Sequence, residues 1–199
     1  MIAPWLQSVG ATSTLLFDTD GLIPRTIERG NMRKLKRNSQ FDASIIGLVE
    51  SGLRDDRWEG LIYIMHFGTG GDIEPLYIGK AERKGTRNLV SGNIKNIRKN
   101  LNAFARWGYG LDYHIGDLSH AIFAETGSYR GPRRKYRRWV ECLFESLDPL
   151  ALRQPVYVSL VRWLDGMRGP SGLIGSVPTV EKELIALCDH ARLLNIDGR

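Results

Sequence analysis

The sequence predicts an α+β fold, a small three-stranded antiparallel sheet flanked by helices, and three observations predict it. First, Gly60-Leu61-Ile62-Tyr63-Ile64-Met65-His66-Phe67 and Leu76-Tyr77-Ile78-Gly79 are rich in aromatic and β-branched residues, with turn residues Gly68-Thr69-Gly70-Gly71-Asp72 between them. That is a hairpin. Second, Val156-Tyr157-Val158-Ser159-Leu160-Val161 repeats the strand composition. Third, Val180, Leu184, Leu187, Ala191 and Leu194 recur at helical spacing near the end of the chain.

Taken in order, residues 1–57 read as an N-terminal extension. It holds the apolar run Leu15-Leu16-Phe17, a turn from Asp18 to Gly21, and a basic stretch of Arg29, Arg33, Lys34, Lys36 and Arg37. Asp42 is placed to cap a helix carrying Ile45, Ile46, Leu48 and Val49. In the hairpin, a turn centred on Gly70 sets Tyr63 opposite Tyr77. Directly opposed residues share a face, so both phenols project from one side of the sheet. Residues 91–106 form a predicted helix through Ile94, Ile97, Leu101 and Phe104, stopped by Gly108 and Gly110. A second helix is expected from Lys135 to Ser146, after Gly131-Pro132, then a strand from Pro155 to Leu164 and a loop from Gly166 to Gly175. The last helix is expected from Ser176 to about Leu194. Cys188 and Ile185 widen its apolar line; Glu181 falls inside that arc and Glu183 outside it.

The chain has 199 residues, 42% of them hydrophobic and 25% charged, enough for one domain with a real core. A formal charge of +6 favours polyanionic partners. Two cysteines, Cys142 and Cys188, make neither a disulfide framework nor a zinc site. The start of the chain does not read as a secretion signal and no apolar stretch is long enough to span a bilayer; a cytoplasmic setting is expected.

Several residues have two readings. The tyrosine pair is either a stabilising cross-strand contact or a pair of chemical groups. Glu181 is either a first-turn acid on the helix dipole or a metal ligand, since a carboxylate beside an apolar face needs a reason. Lys95, Lys99, Asn102 and Arg106 line the polar stripe of the expected 91–106 helix, solvated or aimed at phosphate. Arg130, Arg133, Arg134, Lys135, Arg137 and Arg138 form the densest basic run, with Tyr129, Tyr136 and Trp139 between them. Such a run suits phosphate tracking and base stacking. The histidines His66, His114, His120 and His190 lack metal-ligand spacing; His114 is expected to be structural before it is a proton donor. Asn195 either caps backbone groups or reaches a site.

The order Leu61-Ile62-Tyr63, turn, Tyr77-Ile78-Gly79, helix, strand, Glu181-x-x-Leu184-Ile185 and Leu194-Asn195 resembles the GIY-YIG nuclease superfamily. The resemblance covers about residues 59–195. Leu61 departs from the family's first glycine, the inter-tyrosine stretch is slightly long, and the segment at about 88–154 is a large insertion. That arrangement looks most like the restriction-endonuclease branch, with a nuclease domain at 58–199. The resemblance implies a metal-dependent endonuclease hydrolysing DNA phosphodiester bonds, of the restriction or genome-defence kind. It makes Tyr63 the general base, Tyr77 an orienting group and Glu181 the ligand of Mg²⁺ or Mn²⁺. Lys80, directly after Tyr77-Ile78-Gly79, would contact the scissile phosphate or support the base, and Arg106 or Arg87 would supply the arginine. Lys95, Lys99, Arg133, Arg134, Lys135, Arg137 and Arg138 would bind the nucleic acid. DNA is the expected partner, with RNA left open; a homodimer would suit a palindromic site. The competing expectation is a nucleic-acid-binding module that keeps the fold without catalysis.

Overall fold

The computed structural model describes residues 1–29, 32–85, 88–99, 101–104, 114–123 and 134–195. In chain order the elements are α1 (Ile2–Ser8), β1 (Thr12–Leu15), β2 (Thr19–Asp20), β3 (Ile23–Pro24), β4 (Thr26–Arg29), β5 (Met32–Leu35), α2 (Ser39–Leu53), β6 (Trp58–Phe67) and β7 (Glu74–Glu82). After these come a 3₁₀ turn (Leu101–Ala103), α3 (Ile115–Phe123), α4 (Arg134–Leu143), β8 (Phe144–Leu147), β9 (Leu150–Leu152), β10 (Tyr157–Leu164) and α5 (Val177–Ala186).

The class is α+β, as expected, but the main sheet has four strands rather than three, in the order β1-β10-β6-β7 and antiparallel throughout. The fourth strand comes from the segment read as an extension. Thr12 to Leu15 pair with Leu160 to Tyr157, and the α2 residues Phe41, Ile45 and Val49 are buried in one core with Trp58 and Tyr63. The four-residue run is too short and too polar to announce a strand by alternation; pairing with the central β10 stabilises it.

Apolar residues fill both faces. On one, Leu61, Tyr63, Met65, Tyr77, Val158 and Leu160 pack against α2, α4 and Phe104. On the other, Ile62, Ile64, Ile78, Val161 and Trp163 pack against α1 and the α5 residues Val180 and Leu184. Because β6 is covered on both sides, it reads as a near-continuous hydrophobic run. Burying a side chain such as Leu184 fully stabilises the fold by about 1.5–3 kcal/mol.

The hairpin register differs from the expectation. Tyr63 faces Gly79 and Tyr77 faces Met65: the turn that pairs Phe67 with Glu74 shifts the register by one residue, and an irregularity at Met65/His66, which leaves Leu76 unopposed, shifts it by a second. The two-residue offset keeps both tyrosines on one face. Pro75 is tolerated since β7 is an edge strand.

Three helix expectations also change. Within the described part of 91–106 there is no α-helix; turns run from Gly92 to Lys99, and Asn96 takes a left-handed φ of 55° that breaks the helical path. Ile94, Ile97 and Phe104 are buried all the same, so the apolar spacing reported burial, not helix. The α2 cap is Asn38, whose Oδ1 accepts from Gln40 N at 2.8 Å, while Asp42 pairs with Arg37 at 2.8 Å inside the first turn. Finally, α5 stops at Ala186 and α4 at Leu143. Leu187, 41% exposed, lies beyond the part of the apolar line that α5 buries. No helix is long and apolar enough to cross a membrane among the described residues.

Candidate functional site

The site is built around Gly79 and Lys80 on the edge strand. Tyr63 stands opposite Gly79, and its ring lies flat across that residue. A Cβ at position 79 would fall 2.5 Å from the Tyr63 hydroxyl oxygen and equally close to the ring. Glycine is therefore required by close approach rather than by φ. It lets a phenol from the inner strand extend over the edge strand. Tyr77 stacks beside it, ring centroids 6.4 Å apart and 26° between planes, and Phe104 tilts against Tyr63 at 5.6 Å. Tyr63 is 0% exposed and Tyr77 5%.

Lys80, the next residue, points to the other face, in line with Ile62 and Ile78. Its ammonium lies 3.0 Å from Glu82 and 3.8 Å from Glu181, which sits in the second turn of α5 rather than the first turn expected, because the helix starts at Val177. The Glu181 side chain is 18% exposed. Burial pushes its pKa above the ordinary carboxylate value, Glu82 adds to that, and Lys80 with Lys182 opposes it. A cleft of about 480 Å³ shares Glu82 with this cluster but is lined otherwise by Glu59, Arg83, Lys84, Asp165 and the start of α5 at Val177 and Pro178, among others, and not by Lys80 or Glu181. So the phenol and the Lys80–Glu181 pair flank adjacent residues of one edge strand from its two faces. Among the described residues no strand pairs with β7 on its outer side.

Asn195 completes the arrangement. Its Oδ1 accepts from Ile78 N at 3.0 Å and its Nδ2 donates to Ile78 O at 2.7 Å, while Leu194 N donates to Leu76 O at 2.7 Å. The side-chain amide imitates a strand's peptide group at the residue after Tyr77. Of the two sequence readings, satisfaction of backbone groups is the one observed.

The described basic residues scatter. Lys95 and Lys99 are exposed on the turns after Ser91. Arg134 opens α4; Arg137 is exposed, and Arg138 donates to Ala191 O at 2.7 Å. Lys135 turns inward, its Nζ 4.9 Å above the Tyr77 ring centre and 5.8 Å from that of Trp139. Tyr136 and Trp139 are 3% and 1% exposed and belong to the core, so they offer no stacking surface. Arg87, Arg106, Tyr129, Arg130 and Arg133 lie outside the described residues.

His114, a residue with no metal-ligand spacing, sits beside Tyr77 at 5.3 Å and is hydrogen bonded through Nδ1 to the Tyr136 hydroxyl at 2.6 Å. Burial and the Lys135 charge press its pKa down to about 3. His66 is likewise buried: its Nδ1–H donates towards Phe67 O and Gly68 O, and its Nε2 accepts from Ser159 Oγ at 2.8 Å. Both are neutral structural histidines. Their placement beside the sheet had no sequence signal beyond proximity to strand residues.

Comparison with protein-family models, with curated proteins and with solved structures finds no match for this chain. Among the described residues no three His, Cys, Asp or Glu side chains converge to hold a metal ion. A magnesium ion needs only one or two carboxylates, its remaining positions going to water and phosphate, and Glu181 with Glu82 fits that donor set.

Proposed function

We propose that this chain is a metal-dependent endonuclease that hydrolyses DNA phosphodiester bonds, with its centre at Gly79 and Lys80. The observation that supports the reading is that two groups flank adjacent residues of the edge strand from its opposite faces: the Tyr63 hydroxyl over Gly79, and the Lys80–Glu181 pair at the next residue. These are residues that the resemblance to GIY-YIG nucleases assigns to chemistry.

Hydrolysis needs a water oxygen to attack phosphorus, the P–O bond to the leaving sugar oxygen to break, and a proton to move from the water to that oxygen. In this reading Tyr63, having released its phenolic proton to solvent, would accept the attacking water's proton as the phenolate, a second water would protonate the leaving sugar oxygen, and Tyr77 would hold the adjacent oxygen atoms in place. Lys80 draws the phosphate towards the edge, its charge opposing the negative charge that builds on the phosphoryl oxygens. Glu181, with Glu82 beside it, would hold Mg²⁺ or Mn²⁺; when bound, the ion supplies further charge relief at the phosphate.

The burial of Tyr63 favours a second reading, a module of the same fold that binds nucleic acid without cutting it. One assay separates the two. Supercoiled plasmid and single-stranded DNA are incubated with Mg²⁺, Mn²⁺ or EDTA, wild type beside Glu181→Ala, with circular dichroism to confirm folding. The nuclease reading expects metal-dependent cutting that EDTA stops and that Glu181→Ala slows by roughly two orders of magnitude or more. Salt-dependent binding with no cutting of either substrate would overturn it in favour of the module.

A further inference from the structure

The cleft that shares Glu82 with the proposed centre is fitted to more than phosphate. Its volume of about 480 Å³ suits one small organic group. Its walls hold the carboxylates of Glu59, Glu82 and Asp165, the Lys84 ammonium, and apolar Val177 and Pro178 at the start of α5, among others. Glu59 is fixed there, its Oε2 accepting from Val177 N at 3.3 Å. Two further cations of the lining are committed elsewhere. Arg83 Nη1 donates to the carbonyls of Asp55, Asp56 and Trp58, and Arg57 pairs with Asp55. Asp165 and Lys84 are exposed, and their side chains have no partner among the described residues. The cleft therefore offers carboxylate oxygens that only accept, one uncommitted ammonium and an apolar surface.

Ionised carboxylates select a base whose edge donates. Guanine sets two donors side by side, N1–H and the N2 amino group. Thymine has one N–H between two carbonyls, and adenine and cytosine each set a ring acceptor beside their amino group. We propose that this cleft takes one unpaired guanine of a nucleic-acid strand, Asp165 accepting from its N1–H and N2 amino group while Lys84 meets the phosphate of the same nucleotide. It rests on the nucleic-acid part of the preceding reading and adds which base sits beside the centre. The base must be unpaired, because a duplex hides that edge in its own pairing. Lys80 and Glu82 lie two residues apart on one face of β7, about 7 Å along the strand. A guanine in the cleft therefore adjoins the phosphate drawn to Lys80, with Pro178 giving its ring an apolar surface.

The test reads binding, not cutting, on the full chain. The monophosphates of deoxyguanosine, deoxycytidine, deoxyadenosine and thymidine are titrated in EDTA while the amide resonances of Val177 and Lys84 are followed by NMR. Wild type is compared with Asp165→Asn and Lys84→Met, both at exposed positions, with circular dichroism to confirm folding. The guanine nucleotide should give saturable shifts at both amides, and the thymine nucleotide should bind about tenfold more weakly or worse, as loss of a hydrogen bond to a charged group implies. Asp165→Asn should remove the preference, because the amide's own N–H₂ meets guanine's donors. Lys84→Met should weaken all four nucleotides alike. Equal shifts from all four nucleotides, no shift at either amide at millimolar nucleotide, or a guanine preference that survives Asp165→Asn overturns the proposal even if the wild type cuts DNA. Guanine-selective shifts lost in Asp165→Asn uphold it even if the wild type cuts nothing, in which case only the endonuclease reading fails.

Discussion

Gly79 shows how one residue couples sheet packing to the proposed site. In a strand interior glycine weakens the element, having no side chain to pack and more entropy to lose. Here the Tyr63 ring fills the space instead, so burial lost at glycine is recovered by a neighbour. Adding a single methyl group forces the buried ring to move, because Tyr63 is hemmed by Tyr77 and Phe104 and cannot rotate away. Gly79→Ala is expected to lower stability by about 1–3 kcal/mol, measured as a shift in urea midpoint. Under the proposed endonuclease function it should also lower DNA cleavage by more than that loss of folded protein explains. If Gly79→Ala folds with wild-type stability, the close packing of Tyr63 on residue 79 is wrong.

At the scale of elements, the edge of the sheet is closed by a side chain rather than by a strand. An exposed edge invites pairing with other chains, and residues 194–195 cover part of β7 with three hydrogen bonds. Asparagine is suited to this because its amide both donates and accepts, as a peptide group does. Asn195→Asp keeps the size and the acceptor but loses the N–H that serves Ile78 O. It is expected to cost about 1–2 kcal/mol and to speed hydrogen exchange at Ile78 N–H, read by NMR. Equal exchange in variant and wild type would show that the amide does not hold the strand. The same elements show what the sequence could say. The hairpin, β10 and α5 were legible because their apolar pattern and their local geometry agree. The register was not, since an irregularity at Met65/His66 depends on how β7 settles against β6. Nor was the end of α5: its apolar line continues to Leu194, but the chain leaves the helix at Leu187 and returns to β7. Of the residues proposed for the site, the shared face of Tyr63 and Tyr77 was legible in the hairpin pattern, and the partly buried position of Glu181 in the helical spacing of α5. Glu82 and the cleft lined by Lys84 and Asp165 were not, because only tertiary packing brings them together.

At the scale of the molecule, buried titratable groups set how stability responds to acid. His114 has its pKa pressed to about 3 in the folded chain against 6.5 ordinarily, and burial lowers that of His66 as well. Between those two values the unfolded chain binds a proton that folded His114 refuses. The stability contributed is therefore complete above pH 6.5 and is lost as pH falls towards 3, at up to about 1.4 kcal/mol per pH unit. Glu181 and Asp42 act in the opposite sense. Burial raises their folded pKa values, so the folded chain takes up protons more readily than the unfolded chain as pH falls. That gain begins nearer the carboxylate range, so between pH 6.5 and 5 the histidines dominate. Urea midpoints at pH 7 and pH 5 should therefore show a clear loss on acidification. His114→Asn should reduce it, since asparagine accepts the left-handed backbone at that position, φ 66°, and does not titrate. The effect belongs to the whole fold because His114 joins α4, through Tyr136, to the face of the sheet that carries Tyr77. If His114→Asn loses as much stability as wild type between pH 7 and pH 5, His114 is not the buried neutral group that ties these elements together.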